Sequence, residues 1–212
     1  MHLRLLDCGL VEPALNMALD EALLHGPAPA TLRLYGWSPH AVSLGWFQRA
    51  AEFADLPAGT PLVRRLTGGG AIHHGCELTF ALTVDAGLLP TDVAGSYALV
   101  HDALAAAIAR VGITTRRLEH GHAPAARPGS RWCFAVPGRG DLLTTTGKLL
   151  GSAQRRLARP RARILHHGSL VLRRAPLTPF TAAVADTKDP DAVLPALKSA
   201  VAQALAAALG LA

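Results

Sequence analysis

The chain has 212 residues, half of them hydrophobic and 17% charged, enough apolar material for one compact domain spanning 1–212 and too much for wholesale disorder. Its formal net charge of +6 suits an acidic macromolecular partner, with nucleic acid one candidate and an arginine-rich composition without a partner the alternative. No apolar run approaches the roughly 20 residues that span a bilayer, so no membrane association is expected.

The start, Met1-His2-Leu3-Arg4-Leu5, enters strand-like sequence without a leader pattern, which predicts a cytoplasmic protein. A helix is predicted from Pro13 to His25, with Leu15, Ala18, Leu19, Ala22 and Leu23 as its apolar face. Strand-like runs follow at Thr31 to Tyr35, Ala41 to Gly45, Leu62 to Arg65 and Leu78 to Val84. A second helix is predicted from Ser96 to Val111, capped by Ser96 and burying Val100, Ala103, Leu104, Ala107, Ile108 and Val111. Further strands are predicted at Ile113 to Arg117, Leu142 to Thr146 and Ile164 to Leu172, and a mobile loop from His120 to Ser130. An alanine-rich helix from Asp191 to Leu209 closes the pattern. The mixture predicts an α/β (α+β) fold with a mixed, largely antiparallel sheet and helices packed against it.

Two segments carry the chemistry. The first is Arg64-Arg65-Leu66-Thr67-Gly68-Gly69-Gly70-Ala71-Ile72-His73-His74, which sets two guanidinium groups and three consecutive glycines between strand-like runs. That is the composition of a backbone cradle for an anionic or carbonyl-bearing ligand, and also of an exposed turn. The second runs through Cys133-Phe134, Asp141-Leu142 and Thr146-Gly147-Lys148-Leu149-Leu150-Gly151-Ser152-Ala153-Gln154-Arg155-Arg156. A lone lysine among small and apolar residues is either a surface charge or an ammonium held for a developing negative charge. Cys133 is likewise either a packed thiol or a nucleophile. Cys8, Cys76 and Cys133 show neither pairing nor metal-type spacing, so neither a disulfide framework nor a structural metal is expected.

Ordered along the chain, these segments make it similar to the lipoate-protein ligase A and octanoyltransferase family, whose catalytic domain is shared with biotin protein ligases. Asn16 to Leu23, Trp37-Ser38-Pro39, Val42 to Gln48, Glu77 to Phe80 and His166-His167-Gly168-Ser169-Leu170 belong to the same resemblance. It implies acyl transfer in protein lipoylation. Cys133-Phe134 before Lys148 and Gly151-Ser152-Ala153-Gln154 resembles the cysteine-dependent octanoyltransferases. The implied roles are Cys133 as nucleophile, with Arg131 and Lys148 as its cationic neighbours, and Lys148 with amides near Gly70-Ala71 as oxyanion donors. Arg65, Gly68, Gly69, Gly70, Ala71, Ile72, His73, His74, Gly151, Ser152 and Ala153 would bind substrate.

The acceptor would be an acidic lipoyl domain, a different explanation of the positive charge from nucleic acid, and the donor an acyl carrier protein. No cofactor is then required. The rival within the family is an ATP- and Mg-dependent lipoate ligase acting through lipoyl-AMP, in which Arg65, the Gly70 to His73 backbone and Lys148 would hold the adenylate. Many such ligases add a small C-terminal domain, for which this chain leaves one terminal helix, so that reading calls for a separate accessory protein. A non-catalytic acyl-ligand or carrier-binding module is the alternative outside enzymology. The sequence places His74 as pocket lining, His166 and His167 as the start of a buried strand, Glu77 as a group that caps or pairs locally and Cys76 as packing.

Overall fold

The computed structural model describes residues 2–119 and 129–212. In chain order the elements are β1 (Arg4–Val11), α1 (Pro13–His25), β2 (Thr31–Trp37), β3 (Ala41–Leu44), β4 (Leu62–Arg64), β5 (Ile72–His74), β6 (Glu77–Asp85), α2 (Val93–Arg110), β7 (Arg116–Arg117), β8 (Leu142–Thr144), β9 (Gly147–Leu157), β10 (Arg163–Val171) and α3 (Pro190–Ala208). The predicted loop from His120 to Ser130 lies outside the described residues up to position 128.

Among the described residues seven strands form the main sheet, in the order β1-β2-β6-β10-β9-β8-β7, and β4-β3-β5 form a second. Pairing is antiparallel except for β1 with β2 and β3 with β4. The fold is therefore α+β, with a mixed, largely antiparallel sheet as predicted.

Alternation decides which helix covers which face, because successive strand residues point to opposite sides. Leu32 and Leu34 of β2, Leu78, Phe80, Leu82 and Val84 of β6, and Ile164 and Leu170 of β10 pack with Val100, Leu104 and Ile108 of α2 and Leu197, Val201 and Leu205 of α3. The intervening residues, among them Arg33, Tyr35, Ala81, Leu165 and His167, are also buried, so the central strands are covered on both faces. On that second side Leu24 of α1 packs with Tyr35, Trp37, Ala81 and Leu165.

The predicted face of α1 is inverted. Leu15 is half exposed, and the buried positions are Pro13, Asn16, Asp20 and Leu24. The cause is the sheet face below: Arg33 is fully buried there and donates to Asp20 Oδ1, to Asn16 O at 3.2 Å and to Asn16 Oδ1 at 2.8 Å. A buried guanidinium needs these acceptors more than a leucine needs burial. The cap of α2 is also not Ser96. Asp92 caps it, accepting from the Gly95 amide at 2.6 Å, while Ser96 is buried and accepts from Gln154. The expected strand at Ile113 shrinks to Arg116–Arg117, and β5, three residues between glycines, is an element that periodicity over so short a run does not show.

The arginine run from the end of β9 to the start of β10 is largely engaged with the protein itself. Arg163 is buried and donates to Ala28 O, Arg156 to Pro90 O and Thr91 O, and Arg161 to Asp85. Arg155 and Arg159 are exposed, so the patch for an acidic partner is smaller than the run of charges implies. Among the described residues no helix is long and apolar enough to cross a membrane.

Candidate active site

The glycine loop between β4 and β5 is held by Arg65, and the neighbouring segment from Gly45 to Gln48 by Arg64. Arg65 is 4% exposed; its guanidinium donates to Ser43 O and Ser43 Oγ, both at 2.8 Å, to Gly68 O at 3.1 Å and to Gly70 O at 2.9 Å. Arg64 donates to Gly45 O, Trp46 O and Gln48 O. Both guanidinium groups therefore shape backbone around the pocket, and Arg65 alone of the two also lines it. The loop passes so close to Gly45 that a β-carbon at 45 would lie 1.9 Å from Gly69 O, while Gly69 itself sits at φ +94°.

Beside the loop, a 3₁₀ turn at Cys133–Ala135 brings in the cysteine. Ala71 N donates to Arg131 O at 2.8 Å and Cys133 N donates to Ala71 O at 2.9 Å, so the two segments are stitched together over Gly70. A β-carbon at Gly70 would fall 2.7 Å from Cys133 N. These bonds also occupy the Ala71 amide expected to serve an oxyanion.

Lys148, near the start of β9, reaches the same place from the sheet. It is 3% exposed; its Nζ lies 2.7 Å from Asp141 Oδ2, 3.4 Å from Cys133 O, 3.5 Å from Cys133 Sγ and 4.8 Å from the centre of the Phe134 ring. Burial alone would lower its pKa, but the charges of Cys133 and Asp141 outweigh burial and raise it above the usual lysine value, so the ammonium is retained. Asp141 is positioned by accepting from Gly138 N at 2.7 Å. Arg131, expected to add positive charge beside the thiol, points elsewhere: it donates to Glu52 O and to Asp55 Oδ2 at 2.7 Å and lies over the Phe53 ring. An available carboxylate outside attracts it more than the crowded site does.

Two cavities meet at Cys133. A narrow one of about 40 Å³ is lined by Tyr35, Trp37, Arg65, Ile72, His74 and His167 among others, and shares Gly69, Cys133 and Ser152 with the second. A wide one of about 1000 Å³ lies under the start of α2, lined by Gly69, Gly70, Tyr97, Cys133, Asp141, Lys148 and Ser152 among others. Of the residues expected to catalyse or bind substrate, Ala71 and His73 reach neither. Ala71 is buried against the cysteine segment, and His73 points away, accepting from Leu177 N at 3.3 Å, because β5 alternates and its neighbours Ile72 and His74 take the pocket side.

Several side chains that line the narrow, largely apolar cavity are held in place by polar networks. His74 stacks on Trp37 with ring centres 3.8 Å apart, bonds Ser43 Oγ at 2.6 Å through Nε2 and donates from Nδ1 to Glu77. Burial lowers its pKa against the opposing Glu77 charge; Glu77, which burial would raise, is held low by His74 and by the amides of Gly75 and Cys76. Glu77 is thus the local pairing group the sequence implied. Asp20 accepts from Tyr35 OH at 2.9 Å and His167 Nδ1 at 3.3 Å, and His167 Nε2 bonds Thr67 Oγ1 at 2.7 Å. The glycine loop is thereby tied to α1 through His167, which is more than the start of a strand.

Sequence reading did not rank Asp141, Tyr97, His101, Ser43 or Asp20 with the site. Asp141 had a signal, a carboxylate seven residues before the lysine within the same chemistry-bearing segment. Asp20 and Ser43 had none beyond their place in matched motifs.

The lipoyl protein ligase A/B catalytic-domain family model matches residues 12–206. Among curated relatives, octanoyltransferase LipM of Kyrpidia tusciae is 38% identical over 182 residues, covering 80% of this chain and 65% of that protein. Octanoyltransferase LipM of Moorella thermoacetica is 38% identical over 179 residues, with 80% and 64% covered. The chain spans just under two thirds of the length of these relatives. Among solved structures, lipoate-protein ligase A bound with ATP superposes with a TM-score of 0.76 at 20% identity, covering 100% of this chain and 87% of that one. The bipartite lipoate protein ligase from Thermoplasma acidophilum gives 0.72 at 19%, with 100% and 85% covered. With its sequence motifs placed around one pocket and the family model matching nearly end to end, the chain belongs to the lipoyl protein ligase A/B catalytic-domain family.

Proposed function

We propose that the chain transfers an octanoyl group from a carrier thioester to a lysine of a lipoyl domain, through an acyl-enzyme on Cys133. The observation that carries this reading is the Lys148 ammonium 3.5 Å from Cys133 Sγ where the two cavities join. The narrow, largely apolar cavity supports placement of the acyl chain, and the wide one supports entry of the donor's arm and later the acceptor lysine.

In the first half-reaction Cys133 Sγ attacks the donor carbonyl. Lys148 faces the sulfur and the charge that develops on the carbonyl oxygen, while the Ala71 amide is already engaged with Arg131 O. The carbon–sulfur bond to the donor breaks, and the departing thiolate takes the proton that Cys133 gave up. In the second half-reaction the unprotonated ε-amine of the acceptor attacks the Cys133 thioester, an amide forms, and the amine proton returns to the Cys133 sulfur. Neither step consumes a nucleotide, so no cofactor is assigned. An acyl carrier protein is the proposed donor and the cytoplasm the proposed compartment.

The test is transfer of octanoate from octanoyl acyl carrier protein to an isolated lipoyl domain with no ATP present. The proposal expects product with the native chain and a loss of at least about a hundredfold with Lys148→Ala, the scale of removing an oxyanion donor. Modification that requires free lipoate, ATP and Mg would overturn it in favour of ligation, and absence of both would leave a binding module.

A further inference from the structure

The structure contains a buried chain of hydrogen bonds that the proposed transfer does not use directly. Gln154 Nε2 lies 2.6 Å from Ser96 Oγ and 2.6 Å from His166 Nδ1; His166 Nε2 lies 2.6 Å from Ser152 Oγ; Ser152 Oγ lies 2.6 Å from His101 Nε2; His101 Nδ1 bonds Gly140 O. His101 and His166 are fully buried. One end of the chain fixes every proton in it, because a carbonyl oxygen only accepts. His101 therefore donates from Nδ1 to Gly140, its Nε2 accepts the Ser152 hydroxyl proton, Ser152 accepts from His166 Nε2–H, and His166 Nδ1 accepts from the Gln154 amide. Both imidazoles must be neutral for this to hold. Burial lowers the pKa of both, outweighing the Gly140 bond at His101 and reinforced by His101 at His166.

The Gly140 carbonyl matters because it belongs to the peptide unit that leads into Asp141. The N–H of that same unit donates to Gly138 O at 3.2 Å, so the peptide plane is gripped at both ends. Asp141 follows at once, accepts from Gly138 N at 2.7 Å and takes the Lys148 ammonium at 2.7 Å. Bonds between Leu118 and both Gly140 and Asp141 anchor the turn to its neighbouring segment, while His101 sets the orientation of the one peptide that aims the carboxylate.

We infer that His101 is a positioning residue: held in its Nδ1–H tautomer by Ser152, His166 and Gln154, it orients the Gly140–Asp141 peptide so that Asp141 keeps the Lys148 ammonium against the Cys133 sulfur. This role rests on the transfer reading for its meaning, but its test needs no acyl donor. Asparagine at 101 can place an amide donor where Nδ1 lies, whereas glutamine reaches toward Ser152 in the place of Nε2 and leaves Gly140 O without a donor.

The rate of Cys133 alkylation by iodoacetamide, read on its own peptide by mass spectrometry at neutral pH, separates the two. With the ammonium displaced, His101→Gln is expected to slow alkylation about tenfold, and His101→Asn to stay within about threefold of the native chain. Equal rates for His101→Gln and the native chain, or equal slowing in both variants, would overturn the inference. If His101→Gln does not fold, nitrogen NMR of the native protein still decides: His101 protonated at Nδ1 and His166 at Nε2 is the expected pattern, and His101 protonated at Nε2 contradicts it. Failure to form an octanoyl adduct would remove the transfer reading while leaving these two measurements to report on His101.

Discussion

Glycine at position 151 is required by what lies over it. A β-carbon there would stand 2.4 Å from Lys148 Cε and 2.6 Å from Nζ, with Asp141 Oδ1 at 3.1 Å. The obstructing atoms are the free end of a flexible side chain, so Gly151→Ala should shift stability by no more than about 1 kcal/mol while moving the ammonium off the sulfur. Octanoyl transfer is expected to fall at least about tenfold while the melting midpoint moves by no more than about 4 °C, the signature of a group that matters in the transition state. Wild-type transfer by this variant would mean Lys148 has room that the geometry denies it. Gly70→Ala is a contrasting case, since the obstructing atoms are backbone of Cys133 and Arg131, and both stability and transfer should drop. The residue types of this site were legible because Cys133, Lys148 and the glycines stand in ordered motifs. The role of Asp141, quoted with the second segment but assigned none there, and that of His101 were not, since they come from a turn and a helix that meet only once the sheet has formed.

At the scale of elements, most strand and helix bounds follow from alternation and period, and α1 shows where that logic stops. Helical spacing locates α1 at Pro13–His25, but apolar content does not choose its buried side, because the sheet face beneath it presents Arg33 instead of leucine. Two substitutions on opposite faces measure this. Leu15→Ser, on the half-exposed side, is expected to change stability by less than about 0.5 kcal/mol. Asp20→Ala, which strands a buried guanidinium, is expected to cost about 3–5 kcal/mol by urea denaturation. The reverse ranking would restore the apolar side as the packed one. The tie from Asp20 through His167 to Thr67 predicts that Asp20→Ala also loosens the glycine loop.

For the whole molecule, buried titrating groups set the pH range in which the fold is strongest. His74, His101 and His166 have pKa values lowered by burial below the ordinary imidazole value of 6.5, so each contributes stability that is complete above 6.5 and lost as pH falls through its folded value. Glu77, held low by His74 and two amides against burial, has the same sign at more acid pH. Lys148 is raised despite burial, so its contribution is complete below the ordinary lysine value of 10.5 and lost as pH rises through its folded value. With burial raising the Cys76 thiol above 9.0 and the Tyr35 and Tyr97 hydroxyls above 10.0, the urea midpoint should be level only between pH 6.5 and about 9, and decline progressively below pH 6.5. A midpoint that rises on acidification would contradict the neutral state assigned to the buried histidines. None of this was legible in a list of ten histidines, because burial and partners decide each one. The central claim concerns Cys133, and intact-mass spectrometry after incubation with octanoyl acyl carrier protein in the absence of ATP tests it most directly. One octanoyl group added to the native chain and none added to Cys133→Ala is the predicted result; an adduct that persists in Cys133→Ala, or no adduct on either chain, would contradict it.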